Sequence, residues 1–281
     1  MKITLGHSPD PDDAFMFFGI ASGRIAAEGF EFEQVLQDIE TLNRRAMAEE
    51  LDVTAVSIHA YAYLSERYAL LPHGASFGDG YGPLVVSATE IAPGDLRGRR
   101  IAVPGLLTSA WLALQLFERS IEPVVVPFDR VPAAVLSREV DAGLLIHEGQ
   151  LTYADIGLKK VVELGIWWKE KTGLPLPLGG NAIRKGLGEG AMRTVSGVLR
   201  ASIAYGLEHR GEALAYAEGF GRGLDRARAD RFVGMYVNDL TLDYGERGRR
   251  AVRTFLENGR DAGLLDVDPR IEFAPGGGPA A

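Results

Sequence analysis

The 281-residue chain contains no cysteine. That excludes disulfides, thiolate nucleophiles, cysteine-ligated metal sites and a lipid-modified N-terminal cysteine. Long apolar runs are also missing, and no segment approaches the roughly 20 apolar residues of a membrane span. The opening residues, Met1-Lys2-Ile3-Thr4-Leu5-Gly6-His7, enter a strand pattern at once. They lack the apolar core (about 7–15 residues) of a secretory signal, so a cytoplasmic protein with no membrane partner is expected. Positive charge is scarce: 30 Lys and Arg face 38 Asp and Glu, for a net charge of −8. Without a basic stripe there is no footprint for nucleic acid. No zinc-protease HExxH, P-loop, GxSxG or dinucleotide-binding fingerprint occurs. Nor is there an internal repeat.

What remains is an ordinary globular composition, 46% hydrophobic and 24% charged, long enough for two α/β lobes. Strand and helix patterns alternate from the start. Lys2 to Leu5, Phe30 to Leu36 and Val53 to Val56 read as strands, with helices over 14–22, 39–49 and 60–64 between and after them. The alternation predicts a mainly parallel sheet. A glycine-rich loop, 77–83, leads to a strand at Leu84 to Ser87. Further strands are read at 101–103, 124–126 and 142–146, and helices at 110–118 and 132–138. The proline-rich stretch Gly173 to Gly180 reads as a crossover between lobes. The rest is helical, over about 189–208, 211–220, 226–237 and 246–257.

The helical C-terminal third has no strands of its own and is expected to pack back on the first lobe. This predicts a discontinuous larger domain, 1–88 plus 176–281, with a smaller domain, 89–175, inserted into it. Hinges would lie near 86–89 and 174–180, and the interlobe cleft would hold the ligand. The stretch 274–281, rich in Gly and Pro, reads as a disordered tail.

The most informative segment is Leu144-Leu145-Ile146-His147-Glu148-Gly149-Gln150, where a histidine ends an apolar strand. Strand exits are where α/β folds bind ligands, and imidazole is the usual general base near neutral pH. The bland alternative is a histidine hydrogen-bonded in a loop. Thr108-Ser109-Ala110 stands at a helix start, whose N–H groups can bind a carboxylate; the alternative is a plain N-cap. Ala55-Val56-Ser57 ends a strand of the other lobe, and the two segments could close on one polar ligand as jaws. Asp10, Asp12 and Asp13 could suggest a hard cation, but loop and capping roles are favoured. His7 and His59 are expected near the cleft, and His73 and His209 on the surface. Of the adjacent Trp167 and Trp168, core packing is the safer reading.

Several segments together resemble one family. Ser8-Pro9-Asp10-Pro11-Asp12-Asp13-Ala14-Phe15 resembles its Ser-Pro-x-Pro-Asn/Asp-Asp-x-Phe signature, and Asp38-Ile39-Glu40-Thr41-Leu42-Asn43 its Asp-x-Glu-Thr-Leu-Asn stretch. Gly82 to Val86, Val103-Pro104-Gly105, Gly143 to Glu148 and Thr172 to Gly179 match as well, in order along most of the chain. The chain is thereby similar to the 1,4-dihydroxy-6-naphthoate synthases of the futalosine route to menaquinone. The resemblance implies a type II periplasmic-binding-protein-like α/β fold with two lobes and a cleft. It implies a small-molecule carboxylate substrate, cyclic dehypoxanthinyl futalosine, cleaved at a carbon–carbon bond to dihydroxynaphthoate and a sugar fragment. His147 would take the family's proton-abstracting position, and Ala55, Val56, Ser57, Thr108, Ser109 and Ala110 would hold substrate. Such a lyase needs no redox cofactor, metal or thiol. Two departures stand out. Better-known members carry Cys and Asn where this chain has Asp10 and Asp12, and Ser109 replaces the second residue of a Thr-Thr pair. Two competing readings use the same fold: a cytosolic solute-binding or sensor protein, and chorismate dehydratase.

Overall fold

The computed structural model describes residues 1–221 and 224–276. β1 (Lys2–His7) runs into α1 (Pro11–Ala21), and β2 (Glu31–Leu36) into α2 (Ile39–Met47). β3 (Val53–Ser57) is followed by the single turn α3 (Ile58–Tyr61), then by β4 (Tyr68–Leu70) and β5 (Ser76–Gly78). β6 (Leu84–Ser87), β7 (Arg100–Val103), α4 (Ser109–Phe117), β8 (Glu122–Val125), α5 (Val131–Leu136), β9 (Ala142–Leu145), α6 (Gly149–Thr152), β10 (Lys159–Glu163) and α7 (Leu164–Thr172) follow. The chain returns through β11 (Leu176–Arg184) to the helices α8 (Glu189–Glu208), α9 (Arg210–Glu218), α10 (Arg226–Tyr236), α11 (Asp239–Leu242) and α12 (Gly245–Asp261).

The strands form two mixed sheets, one in the order β2-β1-β3-β11-β4 with β5 on β11, the other β10-β6-β9-β7-β8. β1 pairs parallel with β2 and β3, and β7 with β8 and β9. The expectation of a mainly parallel sheet needs correcting. The strands next to the two chain crossings are antiparallel to their neighbours: β11 to β3, β4 and β5, and β6 to β9 and β10. A strand that enters a sheet directly from the other lobe, without a covering helix, is free to run either way.

Sheet membership also moves the first crossing. A division at 88 would leave Leu84–Ser87 with the first sheet, yet β6 pairs with β9 and β10 of the second. The crossing therefore lies in the glycine-rich loop before Leu84. There a Cβ on Gly78 or Gly165 would stand 2.2 or 1.7 Å from the Tyr81 carbonyl oxygen, so two glycines let the backbone pass. The proline-rich stretch is not a free crossover from end to end, since from Leu176 it is already β11 in the first sheet.

One core is shared by both sheets. Val56, Tyr68 and Leu70 of the first and Val85, Ile101 and Leu144 of the second meet around Trp168, Tyr244 and Phe255. α12 contributes Gly248, Ala251, Val252, Phe255, Leu256 and Gly259, a buried stripe at helical spacing. Trp168 is fully buried, as core packing predicted. A second core holds α1 against α8, α9 and α10 on the first sheet. Of the C-terminal helices, α8, α9 and α10 thus pack with α1 and the first sheet, whereas α12 lies in the core shared by both sheets. The tail expected over 274–281 does not begin at Ala274. Ala274 is buried and its N–H donates to the Leu70 carbonyl, while residues 277–281 lie outside the described residues. Among the described residues, no helix is long and apolar enough to cross a membrane.

Candidate functional site

β1 delivers the chain into Ser8-Pro9-Asp10, and α1 begins at Pro11, three residues before the sequence reading placed it. Proline is suited to the first helical position, where its missing N–H would have had no partner. Asp10 occupies the N-cap position, but its side chain makes no capping bond. Asp13 turns back instead, and its Oδ2 accepts from the Ser8 N–H at 2.7 Å, which locks the loop.

The second sheet supplies the facing group. β9 ends at Leu145, and two residues later His147 adopts φ +55°. Histidine tolerates this left-handed region better than branched residues do. The turn directs the imidazole back toward α1, where His147 Nδ1 lies 3.0 Å from Asp10 Oδ2. The Phe128 ring stands edge-on to the imidazole, with centroids 5.0 Å apart. The loop and capping roles expected for the three aspartates hold for Asp13 but not for Asp10, whose carboxylate crosses from one sheet's loop to the other's. Neither residue alone announced the pair, because they are 137 positions apart in the chain (147 minus 10).

Both residues line a cavity of about 730 Å³ of open space between the sheets. The six residues expected to hold substrate line it too: Ala55, Val56 and Ser57 from β3, and Thr108, Ser109 and Ala110 from the start of α4. Their hydroxyls differ in availability. Thr108 is a true N-cap: its Oγ1 accepts from the Trp111 N–H and donates to the Gly105 carbonyl. The bland reading therefore describes its side chain. Ser57 caps nothing; it is gripped by Asn43, whose Nδ2 donates to Ser57 Oγ at 3.1 Å and whose Oδ1 accepts from Ser57 N–H at 2.8 Å. Ser109 Oγ accepts from the His59 N–H, and His59 Nδ1 donates to the Thr108 carbonyl. Both serines keep a hydroxyl proton to donate. Ser109 and Ala110 open α4, where backbone N–H groups lack intrahelical partners and favour an anion.

The histidines away from this wall are structural. His59 is buried between the two jaws, and desolvation lowers its pKa to about 4, so it is neutral. His7 is buried as well, its Nδ1 donating to the Ser8 carbonyl. His73, expected on the surface, is buried with its Nε2 on Ser196 Oγ, because α8 covers the loop after β4. His209 is exposed, as expected. Two parts of the wall went unnoticed in the sequence. Gly179 and Gly180 of β11 leave the floor bare beside Ser57 and Val56, and a Cβ on Gly180 would meet the Tyr244 hydroxyl at 2.3 Å. Tyr236 of α10 donates to Gln150 Oε1 at 2.7 Å and closes the far side. The Gly-Gly pair is a signal a reader could have used; the Tyr–Gln bond is not.

The site is electrostatically loaded. Burial raises the Asp12 carboxyl to about 6, reinforced by the charge of Asp10 and opposed by His147. Asp13 is pushed well above the ordinary carboxyl range, first by burial and then by Asp12 and Asp10. Burial alone would lower the His147 pKa. The charge of Asp10 and the bond to it, with Glu148 and Asp12, outweigh that and raise it to about 9. Among the described residues, no cluster of three or more His, Asp or Glu is arranged to hold a metal ion. The site can therefore offer a basic imidazole, a helix start for a carboxylate, and carboxylates for hydroxyl groups.

Residues 3–261 match the family model described as menaquinone biosynthesis. A 1,4-dihydroxy-6-naphthoate synthase of Thermus thermophilus is 42% identical over 271 residues, 96% of this chain and 98% of that protein. A crystal structure of an Archaeoglobus fulgidus protein superposes with a TM-score of 0.90 at 51% identity, over 94% of this chain and 98% of that one. A Candida albicans protein described as having the generic periplasmic binding protein fold gives a TM-score of 0.74 at 14% identity, over 95% and 92% of the chains. The last shows the fold alone: α/β, periplasmic-binding-protein-like, along the full length.

Proposed function

The chain belongs to the menaquinone biosynthesis family, and from that premise we propose that it is a carbon–carbon lyase converting cyclic dehypoxanthinyl futalosine to 1,4-dihydroxy-6-naphthoate, with His147 as the base. The observation that carries the reading is the placement of His147: an imidazole at a strand exit, on the wall of the cavity that the two serine jaws share. In this reading the substrate carboxylate lies at the start of α4, against Ser109 and Ala110, and Ser57 donates from the opposite side. His147 removes the proton next to the ring ketone. The ring–sugar carbon–carbon bond then breaks, the ring becomes aromatic, and the proton passes to the departing sugar fragment. No electrons are gained or lost overall. The sheets close over the reacting atoms and exclude water that would otherwise quench the enolate. The reaction is assigned to the cytoplasm.

Mass spectrometry of purified protein incubated with cyclic dehypoxanthinyl futalosine tests this, beside His147→Ala. Dihydroxynaphthoate from the wild type and none from the variant is expected, with substrate affinity little changed. Tight binding by the wild type without product would favour the solute-binding reading and end the lyase proposal. Near-normal turnover by His147→Ala would remove His147 from the mechanism.

A further inference from the structure

We propose that Asp10 is a positioning residue that holds Nδ1 of His147 and so leaves Nε2 as the nitrogen that exchanges protons with the substrate. The inference rests on the lyase reading. Its warrant is geometry. Asp10 belongs to the β1–α1 junction of the first sheet and His147 to the exit of β9 in the second, yet Nδ1 and Oδ2 are 3.0 Å apart. An imidazole has two nitrogens, and a carboxylate only accepts, so this contact fixes Nδ1–H. The proton-accepting lone pair of the neutral ring then sits on Nε2, on the side away from Asp10. The Phe128 ring packs edge-on against the same imidazole, with centroids 5.0 Å apart. Held this way, the pair follows the logic by which a buried carboxylate sets a histidine's tautomer and steadies the imidazolium that forms in turnover.

The charges around the ring are those of Asp10, Asp12 and Asp13 from the start of α1 and Glu148 beside it, with the phenol of Tyr236 across the cavity. All of the carboxylates favour the imidazolium, and Asp10 does so most, by charge and by its bond. The ring therefore binds its proton tightly while Asp10 is in contact with it, and proton abstraction has to wait for the neutral form. Turnover should rise toward alkaline pH, because only the deprotonated ring can act.

The test follows the His147 ring by nitrogen-15 NMR across pH 5–10 (roughly the range needed to bracket a raised histidine). Wild type, Asp10→Asn and Asp10→Glu are compared, with His147→Gln to assign the signal and kcat and KM measured alongside. Expected in the wild type are a midpoint above neutrality and a protonated Nδ1. In Asp10→Asn the midpoint should fall by at least about one unit, a tenfold loss of proton affinity, and the alkaline rise of kcat should move with it. Its maximal kcat should drop on the order of 10²-fold with KM little changed, as for loss of an oriented acid–base group. Asp10→Glu should restore most of the midpoint. If Asp10→Asn fails to fold, Asp10→Ser removes the same charge and reads the same midpoint. An unchanged midpoint in the neutral variant, or Nε2 carrying the proton of the neutral wild-type ring, would overturn the assignment. The NMR arm needs no turnover, so it separates this inference from the lyase reading. If His147→Gln still makes product, the reading fails; if His147→Gln is inactive while the midpoint ignores Asp10, only the positioning role fails.

Discussion

Asp12→Asn should make the protein more stable at neutral pH, and the gain should vanish in acid. Asp12 is partly buried on the cavity wall, close to Asp10 and Asp13, and its carboxyl is raised from 3.8 to about 6. Between those two values the folded protein keeps a proton that the unfolded chain has released. The folded state then binds more protons, so stability falls as pH rises through this window and levels off above it. A shift of about 2 units corresponds to about 3 kcal/mol, and solvent reaching the partly exposed carboxylate reduces the expected gain to about 2 kcal/mol. Asparagine keeps an oxygen for the long bond that Asp12 Oδ2 accepts from Ser76 Oγ at 3.4 Å, so little is lost in return. Urea unfolding of wild type and variant, at pH 8 and at pH 4, reads the difference directly. The pH 8 curve of the variant should move to higher urea with unchanged slope, and the pH 4 curves should nearly coincide. A variant less stable at pH 8, or a gain equally large at pH 4, would refute the claim that the ionised carboxylate is the costly species. A natural protein that retains such a cost at its cavity is retaining it for something other than folding.

Two further outcomes follow from the packing and the jaws. Gly165→Ala should cost more than about 3 kcal/mol, because the new Cβ would stand 1.7 Å from the Tyr81 carbonyl oxygen and 2.3 Å from its carbon, and backbone cannot swing aside as a side chain can. A urea midpoint within error of wild type would show that the crossing loop is not wedged there. Ser57→Ala should raise KM and cost about 1–3 kcal/mol, since it leaves the buried Asn43 Nδ2 without its acceptor. Ser109→Ala should raise KM as well, by taking the acceptor from the His59 N–H and a donor from the cavity. Steady-state kinetics in which both variants change kcat and leave KM alone would place these hydroxyls elsewhere in the cycle.

The local devices of this chain could be read from its residues because their causes are local. Thr108 before an apolar helical run is an N-cap, and Asp38, which accepts from the Thr41 N–H, is another. The 20-residue helix Glu189–Glu208 lies where the sequence reads as helical, over about 189–208. α1 starts at Pro11 and not at residue 14, because proline is barred from a helix interior yet suits its first position. The fold was legible at the level of two α/β lobes, but strand direction was not. The pattern of β11 says that it is buried, and only its partners say that it runs against β3. His73 was misplaced for the same reason: what covers a loop is decided by a helix more than a hundred residues later.

The candidate site divides in the same way. Sequence by itself determined which chemical groups exist: one histidine at a strand exit, hydroxyls at a strand end and at a helix start, three aspartates in one loop, and no thiol anywhere. It also carried the family resemblance, since motif order survives without coordinates. The tertiary structure alone decided that these groups share one cavity, that Thr108 spends its hydroxyl on its own helix while Ser57 is held by Asn43, and that Asp10 leaves its cap to meet His147. The physical reason is range. Capping and periodicity act within a few residues, whereas an ion pair between two sheets depends on the packing of the whole core that brings them together.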